Sequence, residues 1–182
     1  MPKIIIGADH GGFGLKEELK KHLTLAGHAC DDMGTHSTDP VDYPDIALLV
    51  ALEAAKNPHT LGIVIDGAGI GSCMAANKVR GIRAACCNDL YTARNSREHN
   101  HANILTMGSM VVGPGLAKQI VDVWLATPPA PGRHAGRVAK IMKMEEISST
   151  DGVDTRNAPG WRGFSGISST DGVDTRNAPG RR

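Results

Sequence analysis

The chain alternates short apolar segments with amphipathic segments, and no other feature limits its possible folds as strongly. Residues 61–65 are apolar or glycine throughout, which is typical of a strand buried on both faces of a sheet. Residues 3–7 and 104–107 are similar runs. The segment Phe13–Leu25 instead repeats its leucines at helical spacing. Strands that alternate with helices predict an α/β fold with a parallel sheet covered on both faces.

The predicted elements follow one another with short connections. The predicted strands are 3–7, 28–32, 61–65, 81–87 and 104–107, and the predicted helices are 13–25, 44–56, 72–78, 90–99, 115–125 and 133–146. The strand order can be of the flavodoxin or the Rossmann kind, and the sequence does not decide between them.

The end of the chain has a different character. Residues 147–160 read ISSTDGVDTRNAPG, and residues 167–180 repeat them without change. The segment is polar, contains Gly and Pro, and lacks any periodicity. We therefore predict one domain at residues 1–146 and a flexible C-terminal appendage at residues 147–182.

Composition argues against several classes of partner. The net charge is +1 and aromatic residues make up only 3% of the chain, which disfavours nucleic acid as the main partner. No apolar stretch approaches the roughly 20 residues that span a bilayer, and the N-terminal run is too short for a signal peptide. The four cysteines form no CxxC pair, so we expect free thiols in a cytoplasmic protein.

Asp66 and the glycines after it form the most informative motif. Asp66 ends the buried strand, and Gly67, Gly69 and Gly71 follow at alternate positions. Glycine lets backbone N–H groups approach a bound anion closely, and a carboxylate beside such a site can remove a proton next to a carbonyl. A tight turn, with Asp66 as a helix cap, is the structural alternative. Ser72 stands where the dinucleotide fingerprint has its last glycine, which disfavours a nucleotide.

Other polar residues offer further chemistry. Asp9 and His10 follow the first strand, and His99 and Asn100 lie just before the fifth. They can supply acids, bases and amide groups for a sugar, although an Asx-turn and helix-end polarity explain them equally simply. Arg133 and Arg137 are four residues apart on a predicted helix, so they share a face that suits either phosphate or solvent.

Taken together, these motifs resemble the ribose-5-phosphate isomerase B family, whose relatives include galactose-6-phosphate isomerase. The resemblance spans residues 1–146. The motifs that carry it are GADHGGFGLK, DYPD, GAGIGSCMAANKVRGIRAA, SREHNHANILTMGS and GRHAGRV.

The resemblance implies a fold, a reaction and an assembly. The fold would be a Rossmann-like three-layer α/β/α sandwich around a mostly parallel five-stranded sheet. The reaction would be the interconversion of D-ribose 5-phosphate and D-ribulose 5-phosphate through a cis-enediolate, with no metal or other cofactor. The assembly would be a homodimer or tetramer with active sites at the subunit interface.

The resemblance also assigns roles to residues. Asp9 and His99 would assist ring opening, and Asp66 stands at the position of the family's base. The substrate or its phosphate would contact the remaining positions, which are His10, Tyr43, Gly67, Gly69, Gly71, Asn100, Arg133 and Arg137. Outside the resemblance, Ser72 is a further candidate for substrate binding.

Three positions depart from the family pattern. Asp66 stands where many members have a cysteine base, Ala68 where a hydroxyl residue is usual, and Met110 where an arginine usually grips phosphate. Cys73, on the next helix, is a rival base. Because a lost arginine weakens a phosphate clamp, we expect relaxed specificity toward free aldoses such as allose or rhamnose.

Other functions remain open at this point. The chain can be a non-catalytic sugar-phosphate-binding module, or an isomerase of another sugar phosphate such as allose 6-phosphate or erythrose 4-phosphate. A metal-dependent isomerase is a third alternative. The ligand types that it would need are present at Asp9, His10, Asp66, His99 and His101, but their spacing matches no metal motif.

Overall fold

A computed structural model describes residues 2–148, and the predicted appendage lies almost wholly outside the described residues. The strands are β1 (Lys3–Ala8), β2 (Cys30–Asp32), β3 (Thr60–Asp66), β4 (Ala84–Cys86) and β5 (Ile104–Gly108). The helices are α1 (Phe13–Leu25), α2 (Tyr43–Ala55), α3 (Ile70–Ala76), α4 (Leu90–Glu98), α5 (Pro114–Ala126) and α6 (Arg133–Ser148). All eleven predicted elements are therefore present.

The five strands form one sheet in the order β2-β1-β3-β5-β4, and every neighbouring pair is parallel. This order is neither the flavodoxin nor the Rossmann order, because β5 lies between β3 and β4. The composition of the two strands explains the difference. β5 is buried at all five positions, whereas the short β4 is only half-buried and takes the sheet edge.

Helices cover both faces of the sheet, which gives the predicted three-layer sandwich. On one face, the leucines of α1 and the apolar side of α5, including the fully buried Trp124, pack against β1, β3 and β5. On the other face, α2 and α3 pack against Ile5, Val64 and Ile104. Within residues 2–148, no helix is both long and apolar enough to cross a membrane.

The parallel sheet places the polar motifs at two opposite edges. Asp9 and Asp66 lie where β1 and β3 end, at the carboxyl edge of the sheet. His99 ends α4 and precedes the first residue of β5, so it lies at the amino edge. Gly108, at the other end of β5, pairs with Asp66. The length of β5 therefore separates the two groups by roughly 13 Å, from a rise of about 3.3 Å per residue.

Candidate functional site

Asp9 and Asp66 lie side by side because β1 and β3 are neighbours. The backbone N–H of Asp9 donates to the carbonyl of Ile65 at 3.2 Å. The Asp9 carboxylate accepts the N–H of Gly12 at 2.8 Å, which closes the loop after β1. Both carboxylates are at least nine-tenths buried. The carboxyl edge of the sheet thus holds two acidic side chains in one small region.

The Asp66 carboxylate accepts four hydrogen bonds from the loop that follows it. One oxygen accepts the N–H groups of Ala68 and Gly69, and the other accepts both the N–H and the hydroxyl of Ser72. Burial pushes the pKa of Asp66 upward, but the four bonds, led by the Ser72 hydroxyl, outweigh it and hold the pKa below its ordinary value. Asp66 is therefore ionised at neutral pH and is a weak base.

Three N–H groups of the glycine loop, including that of Ile70, have no acceptor within residues 2–148 and can meet an external anion. The sequence predicted that the N–H of Gly69 binds the substrate. In the structure this N–H donates to the Asp66 carboxylate and is therefore not free for a substrate. The N–H groups of Gly67 and Gly71 have no acceptor within residues 2–148. Gly69 adopts a positive φ of 79°, and an added Cβ there would lie 2.7 Å from the backbone of Met107. Only glycine therefore allows this loop to rest on β5.

Tyr43 and Met110 border the same loop. A Cβ added at Gly71 would lie 2.6 Å from the Tyr43 ring, so ring and loop are in direct contact. Met110 is 89% exposed, and its sulfur would lie 3.6 Å from a Cβ at Gly67. Its backbone N–H donates to the carbonyl of Gly67 at 3.1 Å. A flexible apolar side chain therefore covers the place where the family pattern has an arginine.

His10 and Ser109 connect neighbouring loops at this edge. The Nδ1 atom of His10 lies 3.2 Å from the carbonyl oxygen of Val41, just before Tyr43. The Ser109 hydroxyl donates to the carbonyl of Gly11 at 2.9 Å, which ties the loop after β5 to the loop after β1. Ser109 was not among the predicted site residues, although its place directly after a predicted strand was a usable signal.

The thiol of Cys73 has a different environment from that of Asp66. It donates to the carbonyl of Ala84, on the edge strand, at 3.3 Å. Burial is the main cause that raises the pKa of this thiol, so it is protonated at neutral pH. A protonated thiol cannot accept a proton, and this argues against Cys73 as the base.

His99 and Asn100 belong to a second polar cluster, at the amino edge of the sheet. The Nδ1 atom of His99 lies 2.9 Å from the side-chain Nδ2 of Asn95, and the side-chain amide of Asn100 donates to Oδ1 of Asn95 at 3.3 Å. The His99 ring stacks on that of His134, with centroids 4.0 Å apart and planes 7° from parallel. His134 was missed, although it stands within the GRHAGRV motif.

Arg133 and Arg137 complete this second cluster. Both are exposed, and neither forms an ion pair with a carboxylate within residues 2–148. The pKa of His134 is lowered, first by partial loss of hydration and then by the nearby His99 and the two arginines. The cluster therefore carries the two positive charges of Arg133 and Arg137 next to two imidazole rings, with the Glu98 carboxylate 4.0 Å from Nε2 of His99. Such an arrangement suits a phosphate group.

The two clusters do not meet within one chain. No hydrogen bond, ion pair or ring contact in the described part of the chain joins His99, Asn100 or the two arginines to the Asp66 loop. A five-carbon sugar phosphate is about 10 Å long from standard bond lengths, which is shorter than the separation of the two edges. No three His, Cys, Asp or Glu side chains of residues 2–148 are grouped so as to hold a metal ion.

Comparison with known proteins gives consistent results. A family model described as Ribose/Galactose Isomerase matches residues 4–141. Ribose-5-phosphate isomerase B of Escherichia coli is 47% identical over 146 residues, covering 80% of this chain and 98% of the relative.

Solved structures give the same picture. A ribose-5-phosphate isomerase B of Clostridium thermocellum is 53% identical with a TM-score of 0.78, covering 81% of this chain and 99% of the other. The enzyme of Mycoplasma genitalium, solved with bound ribulose-5-phosphate, is 40% identical with a TM-score of 0.77, covering 79% and 96%.

Proposed function

The chain belongs to the ribose/galactose isomerase family, and we propose that its reaction is the interconversion of D-ribose 5-phosphate and D-ribulose 5-phosphate. It is an aldose–ketose isomerase, whose chemistry consists of ring opening followed by proton transfer between two carbons. The observation that carries the proposal is the presence of two complementary clusters. One has a carboxylate beside N–H groups, and the other has two arginines, and neither these N–H groups nor these arginines have an acceptor or carboxylate partner within residues 2–148.

Proton transfer is assigned to the carboxyl-edge cluster. Asp66 removes the proton from C2 of the open-chain aldose to give a cis-enediolate and then returns it to C1, and the hydroxyl proton moves from O2 to O1 between these two steps. The N–H groups of Gly67 and Gly71 bind the negative charge that develops on the oxygen. Support comes from the ionised state of Asp66 and from the absence of an internal acceptor for these two groups in residues 2–148.

Ring opening and phosphate binding need both clusters. Asp9 and His99 move the protons that open the sugar ring, and Asn100 binds a sugar hydroxyl. Arg133 and Arg137 bind the phosphate, with His10 and Tyr43 lining the pocket opposite them. The charge of the arginines and the accessible position of His99 support these roles.

A homodimer with active sites at the interface brings the two clusters together. Because the clusters lie at opposite edges of one sheet, the partner subunit must supply the second cluster for each site. The exposed apolar side chains of α2 and α3 give this partner a surface, which consists of Leu48, Leu49, Leu52, Ile70 and Met74, each between 44% and 64% exposed. This surface begins directly after the glycine loop, so a second copy seated on it lies beside Asp66.

Specificity is proposed to be broader than in relatives that have the third arginine. Met110 supplies no positive charge that could bind the phosphate. The difference in binding free energy between phosphorylated sugars and free aldoses such as allose or rhamnose is therefore smaller. The cellular setting is proposed to be the cytoplasm. All four cysteines are free thiols, which is consistent with a reducing compartment.

The direct test is turnover of ribose 5-phosphate by the purified chain in EDTA, with allose and rhamnose assayed in parallel. We expect ribulose 5-phosphate to form, and we expect measurable but slower turnover of the free sugars. Binding of ribose 5-phosphate without turnover would overturn the proposal in favour of a sugar-phosphate-binding module. Activity that is lost in EDTA and restored by a divalent cation would point to the metal-dependent alternative.

A further inference from the structure

His101 holds an unusual backbone conformation at the end of α4. Its φ is 52°, and it is the only residue other than glycine with a positive φ among residues 2–148. Its N–H donates to the carbonyl of Arg97 at 3.1 Å, and the N–H of Ala102 donates to that of Ser96 at 2.9 Å. These two nested bonds end the helix at a residue in the left-handed conformation, a position where glycine is the usual residue. A histidine at this position indicates that its side chain has a structural or functional role.

The imidazole of His101 connects this helix end to the proline-rich turn before α6. Its Nε2 atom lies 2.8 Å from the carbonyl oxygen of Ala130. Since a carbonyl only accepts, Nε2 carries the proton and donates. The N–H of Ala130 in turn donates to the carbonyl of Glu98 at 2.9 Å. Both the carbonyl and the N–H of Ala130 are therefore hydrogen-bonded to residues at the end of α4.

This connection joins the two elements that carry the second cluster. His99 and Asn100 lie directly before His101, and Arg133 begins α6 three residues after Ala130. The stacking of His99 on His134 is a further contact between the same two elements. The His101–Ala130 bond therefore controls the distance between the histidine that opens the sugar ring and the arginines that bind phosphate.

We propose that His101 is a positioning residue, which ties the His99–Asn100 loop to the start of α6 and so preorganises the phosphate site. The inference rests on the proposed function. His101 itself does not contact the sugar. It acts by reducing the conformational freedom that Arg133 and Arg137 lose when phosphate binds.

Two variants separate the side-chain role from the backbone role. His101→Asn places a residue that tolerates the left-handed conformation, but its amide is too short to reach Ala130. His101→Gln has an amide nitrogen at about the reach of Nε2, so it can restore the bond. If only the backbone mattered, Asn would perform at least as well as Gln. If the bond matters, Gln must perform better than Asn.

The experiment measures kcat and KM for ribose 5-phosphate in the three proteins. We expect the KM of His101→Asn to rise about tenfold with kcat within about threefold of wild type, and the KM of His101→Gln to return to within about threefold. A KM of His101→Asn within twofold of wild type would overturn the inference, as would an equal rise in both variants.

A second readout keeps this inference distinct from the proposed function. If the wild-type chain does not turn over ribose 5-phosphate, the proposed function fails. Calorimetric titration with inorganic phosphate then measures the phosphate affinity of the arginine pair without relying on turnover. We expect phosphate to bind His101→Asn about tenfold more weakly than wild type, with affinity restored in His101→Gln. Equal affinity in all three proteins, or no phosphate binding by the wild type, would overturn the role of His101.

Discussion

Ser72 supplies two of the four hydrogen bonds that Asp66 accepts, one from its backbone N–H and one from its hydroxyl group. One residue at the start of α3 therefore both fixes the orientation of the carboxylate and lowers its pKa. The hydroxyl is the larger of the two contributions to the lowered pKa. This relationship makes the basicity of Asp66 adjustable by a single substitution.

Ser72→Ala removes the hydroxyl bond and leaves the backbone bond in place. We expect the pKa of Asp66 to rise, and kcat to rise about two- to fivefold because a stronger base accepts a proton more readily. The free energy of unfolding should fall by about 2 kcal/mol, the usual contribution of a hydrogen bond to a charged group. Ser96→Ala, which removes a buried hydroxyl from α4, is the control and should lower stability without changing the pH profile. An unchanged pH profile in Ser72→Ala would count against Asp66 as the base.

Asp66→Asn tests the base itself. We expect kcat to fall by about a thousandfold, within the range typical of losing a general base, while KM changes little. Asp66→Cys, which introduces the thiol that the family pattern has here, should retain far more activity than the asparagine variant. Cys73→Ser should keep most of the activity, because that thiol is protonated at neutral pH. A large loss in Cys73→Ser, together with an active Asp66→Asn, would reverse the assignment.

The low pKa of Asp66 also predicts how stability depends on pH. Its pKa in the folded chain lies below the ordinary value of 3.8, so the folded state favours the ionised form. The resulting stabilisation is fully present above about pH 4 and is lost as the pH falls through the folded-state pKa. The difference in unfolding free energy between wild type and Asp66→Asn should therefore be constant near pH 7 and shrink at lower pH. Urea unfolding at pH 7, 5 and 3 measures it, and a difference that grows toward pH 3 would contradict the argument.

Met110→Arg tests the proposed relaxed specificity and its origin. The new guanidinium lies beside Gly67 and can add one charge-assisted hydrogen bond to the phosphate. We expect the ratio of kcat/KM for ribose 5-phosphate to that for allose to rise about ten- to a hundredfold. Val111→Arg adds the same charge at the next exposed position and should change the ratio less than about threefold. Equal ratios in both variants would mean that Met110 does not determine selectivity.

Mixing two inactive variants tests the proposed active site shared between the two subunits of a homodimer. Asp66→Asn damages the first cluster and Arg137→Ala the second, so each homodimer has two defective sites. A mixed dimer has one site in which both clusters are intact. After the variants are denatured and refolded together in equal amounts, we expect roughly a quarter of wild-type activity, since half of the dimers are mixed and each has one good site. No recovery in a sample that sedimentation shows to be dimeric would mean that each site lies within one chain.

Much of this architecture could be predicted from local patterns. The alternation of apolar runs and amphipathic segments predicted every helix and strand, and α1 was placed with its observed bounds. The strand order could not be predicted, because it depends on which strand gains more from central burial. Ile104 and Leu105 are fully buried in β5, while the alanines of β4 remain half-buried at the edge.

The chemistry of the site was partly predictable. Asp66 follows a strand and His99 precedes one, and in a parallel sheet this difference alone places them at opposite edges. The capping alternative predicted that the Asp66 carboxylate accepts N–H groups at the start of α3, and it does. The additional bond from the Ser72 hydroxyl was not predictable, because it depends on the path of the loop in space. The same backbone N–H groups that the glycine pattern offers to a substrate can also bind the carboxylate that precedes them, as Gly69 does.

The placement of the two clusters at opposite ends of β5 also has a consequence for how much enzyme a cell must make. If each site borrows half of its residues from a partner, a lone chain is inert however well it folds. Specific activity then depends on protein abundance, and it falls on dilution once the concentration drops below the dissociation constant of the dimer. Flux would then rise more than proportionally with gene dosage and synthesis rate, without any effector.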